Sequence, residues 1–390
     1  MSHINSSRDY TIDIAKAIGI IFVVIGHCCA VPNHGGNVIW QMYISDYIYT
    51  FHMPLFFFLS GYFFNKLYLD NKFNFIKKKI TGLWVPYIKW TLFFTLMHNT
   101  LFSIGMYGNF KDSIPTIYDI QTLIKSTLST LFFLGGDQLI GGFWFIPTLF
   151  YASIFSLFMM WLIKLIVDKL KIINNENSYY ILILISISLF IIISSFITYF
   201  PFSIQRIGIS NRTFLASAIF LTGHLTNIIT QKYKGTDKVS TDILLICIGL
   251  IITLFISIYY PADFSKIFNW YDSIYIWLAG CIGTWCWVLI SKYISKLHFA
   301  INNILVYIGK NTIIILALHF SCFKLINLIK IYYYDLDDVA YGSFPIIAND
   351  PSSNNIVWMS LYIISGIFIP IIIKWFYDKI KFTIIHKNLY

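Results

Sequence analysis

TIDIAKAIGIIFVVIGHCCA, residues 11–30, is long and apolar enough to cross a bilayer as one helix, yet it holds Asp13, Lys16 and His27. Ionisable side chains inside a membrane are costly, so three in one span are read as functional. At 3.6 residues per turn and 1.5 Å per residue, Lys16 and His27 lie about 20° apart in azimuth and ~16 Å apart along the axis. Asp13 sits one turn before Lys16 and about 40° from the His27 direction, so carboxylate, ammonium and imidazole form one polar stripe. A stripe of this kind lines a cavity rather than facing lipid.

The rest of the chain has the same apolar character. Its 390 residues are 57% hydrophobic and only 12% charged, where a soluble domain carries about 25% charged residues. Apolar windows recur at residues 11–30, 44–64, 83–106, 141–166, 179–200, 213–229, 243–260, 274–290, 304–328 and 356–375. They predict an all-α, polytopic integral membrane protein of about ten transmembrane helices, organised as a single domain over residues 1–390. Lysines fill the alternate connections: Lys66, Lys72, Lys77, Lys78 and Lys79, then Lys164, Lys169 and Lys171, then Lys232, Lys234 and Lys238, then Lys292 and Lys296, and finally the tail. The positive-inside rule then makes both termini cytoplasmic. The net charge of +10 is largely this topology signal, and no basic patch points to nucleic acid. The polar N-terminal arm and full-length first span argue against a cleavable signal peptide. The six cysteines have no metal-like spacing and read as apolar packing residues; no metal is expected.

The second span contains FHMPLFFFLSGYFF, residues 51–64, with His52 and Pro54 among aromatics. Pro54 frees a backbone carbonyl one turn earlier, and a polar cavity is one way to satisfy it. His52 enters from the end that His27 reaches, so the two imidazoles are expected at similar depth. GFWFIPTLFY, residues 142–151, sets Trp144 near the same end, as an interfacial anchor or a sugar-stacking surface. Arg206 and Arg212 flank the sixth span there, to bind an acidic or pyrophosphate-linked glycan or to anchor the helix. His224 and His319 read first as structural hydrogen bonds and second as substrate contacts.

RDYTIDIAKAIGIIFVVIGH, FHMPLFFFLSGYFF, KKKITGLWVPY, GFWFIPTLFY and IGKNTIIILALHF, in this order and spacing, resemble the acyltransferase 3 family of bacterial membrane O-acyltransferases, on the branch similar to fucose 4-O-acetylase. The family's basic residue and histidine with ten intervening positions are met by Lys16 and His27. The resemblance implies a multi-pass protein of the bacterial cytoplasmic (inner) membrane, surrounded by membrane lipid. It further implies transfer of an acyl group, usually acetyl, from acetyl-CoA or another acyl-CoA to a hydroxyl of an envelope polysaccharide or lipid-linked oligosaccharide. His27 would be the general base, near the unperturbed imidazole pKa of about 6.5, with Lys16 and Asp13 on the donor side and His52 beside it. Trp144, Arg206, Arg212 and His319 would meet the glycan. The resemblance puts two basic residues three apart on the CoA phosphates, where this chain has Lys79 and Gly82; Lys77, Lys78 and Lys79 are the candidates for that contact. A secondary transporter or flippase would also bury His, Lys and Asp, but the first-span stripe has no counterpart in the sixth span.

Overall fold

The computed structural model describes residues 10–29, 39–108, 115–169, 176–199, 208–233, 238–297, 300–348 and 356–387. Among them there is no strand. The helices are α1 (Tyr10–Cys29), α2 (Ile39–Tyr62), α3 (Lys72–Lys79), α4 (Val85–Ser103), α5 (Ile120–Leu131), α6 (Phe145–Lys169), α7 (Glu176–Tyr199), α8 (Asn211–Lys232), α9 (Val239–Tyr259), α10 (Asp272–Ile294), α11 (Ala300–Lys310), α12 (Thr312–Tyr334) and α13 (Ile356–Lys387). Among the described residues eight spans, in α1, α6–α10, α12 and α13, are long and apolar enough to cross a membrane. Helices α2 and α4, of 24 and 19 residues, carry more polar sequence, including Gln41, Asp46 and His52 in one and Lys89, His98 and Asn99 in the other. The molecule is an all-α polytopic membrane protein.

Helix α2 runs through the middle, packed against α1, α8 and α10. Glycines allow this. A Cβ on Gly61 of α2 would lie 1.8 Å from the Phe220 carbonyl oxygen of α8, and one on Gly223 of α8 would lie 2.1 Å from the Phe58 carbonyl oxygen of α2. Backbone approach through small residues is how membrane helices gain packing without a hydrophobic drive between them. The outer faces of α7, α9 and α13 expose Ile185, Ile192, Phe196, Ile251, Phe255 and Phe376, a surface suited to lipid and not to water.

Two expectations change. The predicted span at 304–328 is two helices, because Asn311 leaves the helical region (φ −118°, ψ 26°) and the chain turns after a close seam: a Cβ on Gly309 would lie 1.7 Å from the Asp13 carbonyl oxygen. The stretch between the apolar windows 83–106 and 141–166 contains a further helix, α5, whose buried contribution is small and whose Ile120, Ile124 and Leu128 are exposed. Between α3 and α4 the chain makes a π-helical turn, Ile80–Trp84.

Candidate active site

His27 lies in the last turn of α1, half-buried. Its imidazole stacks on that of His319 from α12, ring centroids 5.3 Å apart at 24°, and its other neighbour is Phe320 at 4.8 Å. His52 of α2 is within electrostatic reach of the same ring and meets Tyr49 edge-on at 4.8 Å. The sequence candidates His27, His52 and His319 therefore come together from three helices. His52 and His319 are fixed alike: each Nδ1 lies on the carbonyl of the residue four earlier in its helix, Ile48 at 2.8 Å and Ile315 at 3.0 Å. A carbonyl only accepts, so each Nδ1 carries the proton and donates it, and in the neutral ring Nε2 is a hydrogen-bond acceptor. Among the described residues no three His, Cys, Asp or Glu side chains are placed to hold a metal ion.

Trp144 and Arg212, chosen separately from the sequence, also meet. Trp144 ends the 3-10 turn Gln138–Trp144, and the Arg212 guanidinium at the start of α8 lies 5.1 Å from its ring centroid. Phe264 stacks on Trp144 at 6.2 Å and packs on Phe57 at 4.9 Å, one turn beyond His52 in α2. Asp263, beside Phe264, exerts its charge on Arg212 and on His52; nothing in the sequence singled it out. Arg206 lies outside the described residues.

The other end of the α1 stripe is electropositive. Asp13 is buried and Lys16 half-buried. Lys79, in the last turn of α3, sits 5.2 Å from the Phe75 ring and 5.9 Å from the Phe220 ring. Burial pushes its amine down to about 7, and the like charges of Lys78 and Lys16 push the same way. Lys16 and Lys79 are thus neighbours across helices, which spacing along α1 alone does not reveal. Lys77 and Lys78 are exposed, Lys78 donating to the Tyr68 hydroxyl at 3.4 Å. At Gly82, the second basic position of the resemblance, a side chain would meet nothing within 4 Å.

Two polar assemblies were not anticipated. Lys324 of α12, 1% exposed, donates to the carbonyls of Gly342 and Ser343 at 3.0 and 2.7 Å; Lys330 donates to Ile347 at 3.1 Å, and Asn327 to Tyr341 at 3.1 Å. They tie the segment after α12 back onto the bundle, and its Phe344 packs on Phe320 at 4.6 Å, next to the histidines. The available signal was a pair of lysines inside an apolar run. Separately, Asp137 joins His98 at 3.0 Å and the Tyr107 hydroxyl at 2.7 Å, with His98 stacked on Tyr118; this knot fixes the connection from α4 to α5. His224 lies apart from the three histidines, near Tyr179 and Phe64.

A multi-helix membrane bundle with imidazoles gathered in its interior and ammonium groups at one end defines the class to which comparison applies. Residues 9–375 match the family model described as "Acyltransferase domain", and the chain belongs to that family, acyltransferase 3. The chain is 30% identical over 152 residues, 38% of its length and 35% of the relative's, to "Nodulation protein NolL" of Mesorhizobium japonicum. It is 27% identical over 136 residues, 33% of its length and 37% of the relative's, to "Nodulation protein NolL" of Sinorhizobium fredii. The matches thus span little more than a third of either relative. No solved structure matches the chain.

Proposed function

We propose that the protein transfers an acyl group, acetyl in the simplest case, from cytoplasmic acyl-CoA to a hydroxyl of an envelope glycan or its lipid-linked precursor, within a bacterial cytoplasmic membrane. The observation that carries this reading is the α1 stripe with its two ends differently furnished: half-buried His27 among imidazoles at one, and Lys16 beside Lys79 at the other. His27 takes the proton of the acceptor hydroxyl as its oxygen attacks the thioester carbonyl. The carbon–sulfur bond then breaks, the ester forms, and the proton passes from His27 to the departing CoA thiolate. Lys16, Lys78 and Lys79 attract the CoA phosphates, which relieve the mutual repulsion of the ammonium groups. Arg212, held over the Trp144 ring, offers a fork to an anionic group on the glycan, with the Trp144 edge beside it as apolar surface for the sugar. Membership of an acyltransferase family favours this over the transporter reading.

The test incubates the purified protein in nanodiscs with radiolabelled acetyl-CoA and an extract of bacterial envelope glycans. Alkali-labile label on the glycan is expected, and its loss in His27→Ala. Glycan movement across vesicles with no ester formed would overturn the proposal.

A further inference from the structure

His319 has one atom that the fold leaves without a partner. Its side chain is 0% exposed and its Nδ1–H is spent on the Ile315 carbonyl, but Nε2 is buried with no hydrogen-bond partner among the described residues. Buried acceptors are nearly always satisfied, so an orphan beside a reaction site points to a ligand that supplies a donor. The ring faces the turn that carries Trp144: a Cβ on Gly142, two residues before Trp144, would lie in ordinary contact with His319 Cε1, at 3.9 Å, and closer, at 3.0 Å, to Leu316 Cδ1.

The donor chemistry narrows the ligand. A thioester carbonyl and ionised phosphates only accept hydrogen bonds, so they cannot satisfy Nε2. A hydroxyl can. His27 is stacked on His319, and in the proposed reaction it already holds the hydroxyl that is acylated. Two acceptors one ring-stack apart then call for two donors carried close together on one molecule. We infer that His319 Nε2 binds a second hydroxyl of the acceptor, on the carbon next to the one acylated, so that the site selects glycans presenting a vicinal diol. This rests on the acyltransfer reading above. It makes His319 a substrate-binding residue.

Two experiments on the full-length protein in nanodiscs test it. In the first, the glycan extract is oxidised with periodate and reduced with borohydride, which destroys vicinal diols and spares isolated hydroxyls. Wild-type ester formation from labelled acetyl-CoA should fall at least about tenfold; undiminished labelling would show an isolated hydroxyl and overturn the inference. In the second, His319→Asn keeps an amide N–H for Ile315 and loses the Nε2 acceptor, whereas His319→Gln carries an amide oxygen out to the Nε2 position. The Asn variant should lose about 10- to 100-fold in kcat/KM for the glycan, with KM for acetyl-CoA unchanged, and Gln should restore part of the loss. A structural role gives the reverse order, with Asn active and Gln not. A rise confined to the KM for acetyl-CoA would assign Nε2 to an amide N–H of the donor's arm instead. If the Asn variant does not fold, the periodate result and the Gln variant still decide. Absence of ester with wild type would defeat the functional reading itself, before any variant is compared.

Discussion

The depressed Lys79 amine makes donor binding pH-dependent in a direction that can be worked out. Burial foremost, then Lys78 and Lys16, bring it from an ordinary 10.5 down to about 7. In the empty protein Lys79 is therefore mostly ammonium at pH 6 and mostly neutral at pH 8. A phosphate beside it favours the charged form, so the amine returns toward its ordinary value in the complex, and CoA binding takes up a proton as pH rises above 7. By linkage, the Kd for CoA should increase about tenfold between pH 6 and pH 8, equivalent to about 1.4 kcal/mol. The ligand's own phosphate, with a second pKa near 6, gains charge over part of the same range and pulls the other way. Lys79→Arg removes that ambiguity, because guanidinium stays charged throughout. Isothermal titration with CoA, which cannot react, gives the Kd of both proteins in nanodiscs at a fixed ionic strength. The ratio of wild-type to Arg-variant Kd should climb about tenfold from pH 6 to pH 8, and a constant ratio would remove Lys79 from the donor site.

Lys16→Met deletes one of the like charges acting on Lys79, so the same pH dependence should move to higher pH, read by the same titrations; an unmoved midpoint would separate the two residues. His27→Ala should lower ester formation by about 10²- to 10⁴-fold while detergent-resistant folded yield stays near wild type, and His52→Ala should reduce turnover less. Gly82→Arg places a guanidinium where nothing lies within 4 Å, and CoA titration should show binding about tenfold tighter through a charge-assisted contact. Lys324→Met strands the Gly342 carbonyl and leaves that of Ser343 with Asn327 as its donor, at a cost of about 2 kcal/mol, to be seen as faster hydrogen exchange over residues 338–347 and a lower unfolding midpoint.

What was legible in the sequence is what a single helix can encode. The stripe of Asp13, Lys16 and His27 follows from helical geometry, and the membrane fold from apolar windows and lysine placement. Trp144 and Arg212 were recognisable as residues of one end, because each stands next to a span boundary. Their mutual contact was not, nor was the stacking of His27 on His319, since both join helices far apart in the chain and depend on which faces pack. The α11–α12 break is marked in the sequence only by Gly309, Lys310 and Asn311 inside the apolar window 304–328, and its reason is tertiary: the interruption at Asn311 belongs to the turn that brings Gly309 against the backbone of α1. Lys324 and Lys330 were visible as lysines in a greasy run, but their partners are backbone carbonyls, which leave no mark on side-chain identity.

That close seam also explains how the site keeps its dimensions. Gly309 seats α11 on Asp13 near one end of α1, and His319 of α12 stacks on His27 near the other. The α11–α12 pair therefore touches α1 near both ends of the stripe, the 11-residue α11 at one and the 23-residue α12 at the other, with the Asn311 turn between them. Helix α1 acts as the ruler: its rise sets ~16 Å between the ammonium and the imidazole. On the acyltransfer reading, that length separates the charged end of the donor, which must stay with the lysines, from the thioester, which must reach the histidines. A donor with a long, uncharged arm between phosphate and sulfur satisfies both conditions at once, whereas a compact anionic acyl donor would satisfy only one. Under the proposed function, the spacing of two residues in the first span fits a carrier-borne acyl group as donor.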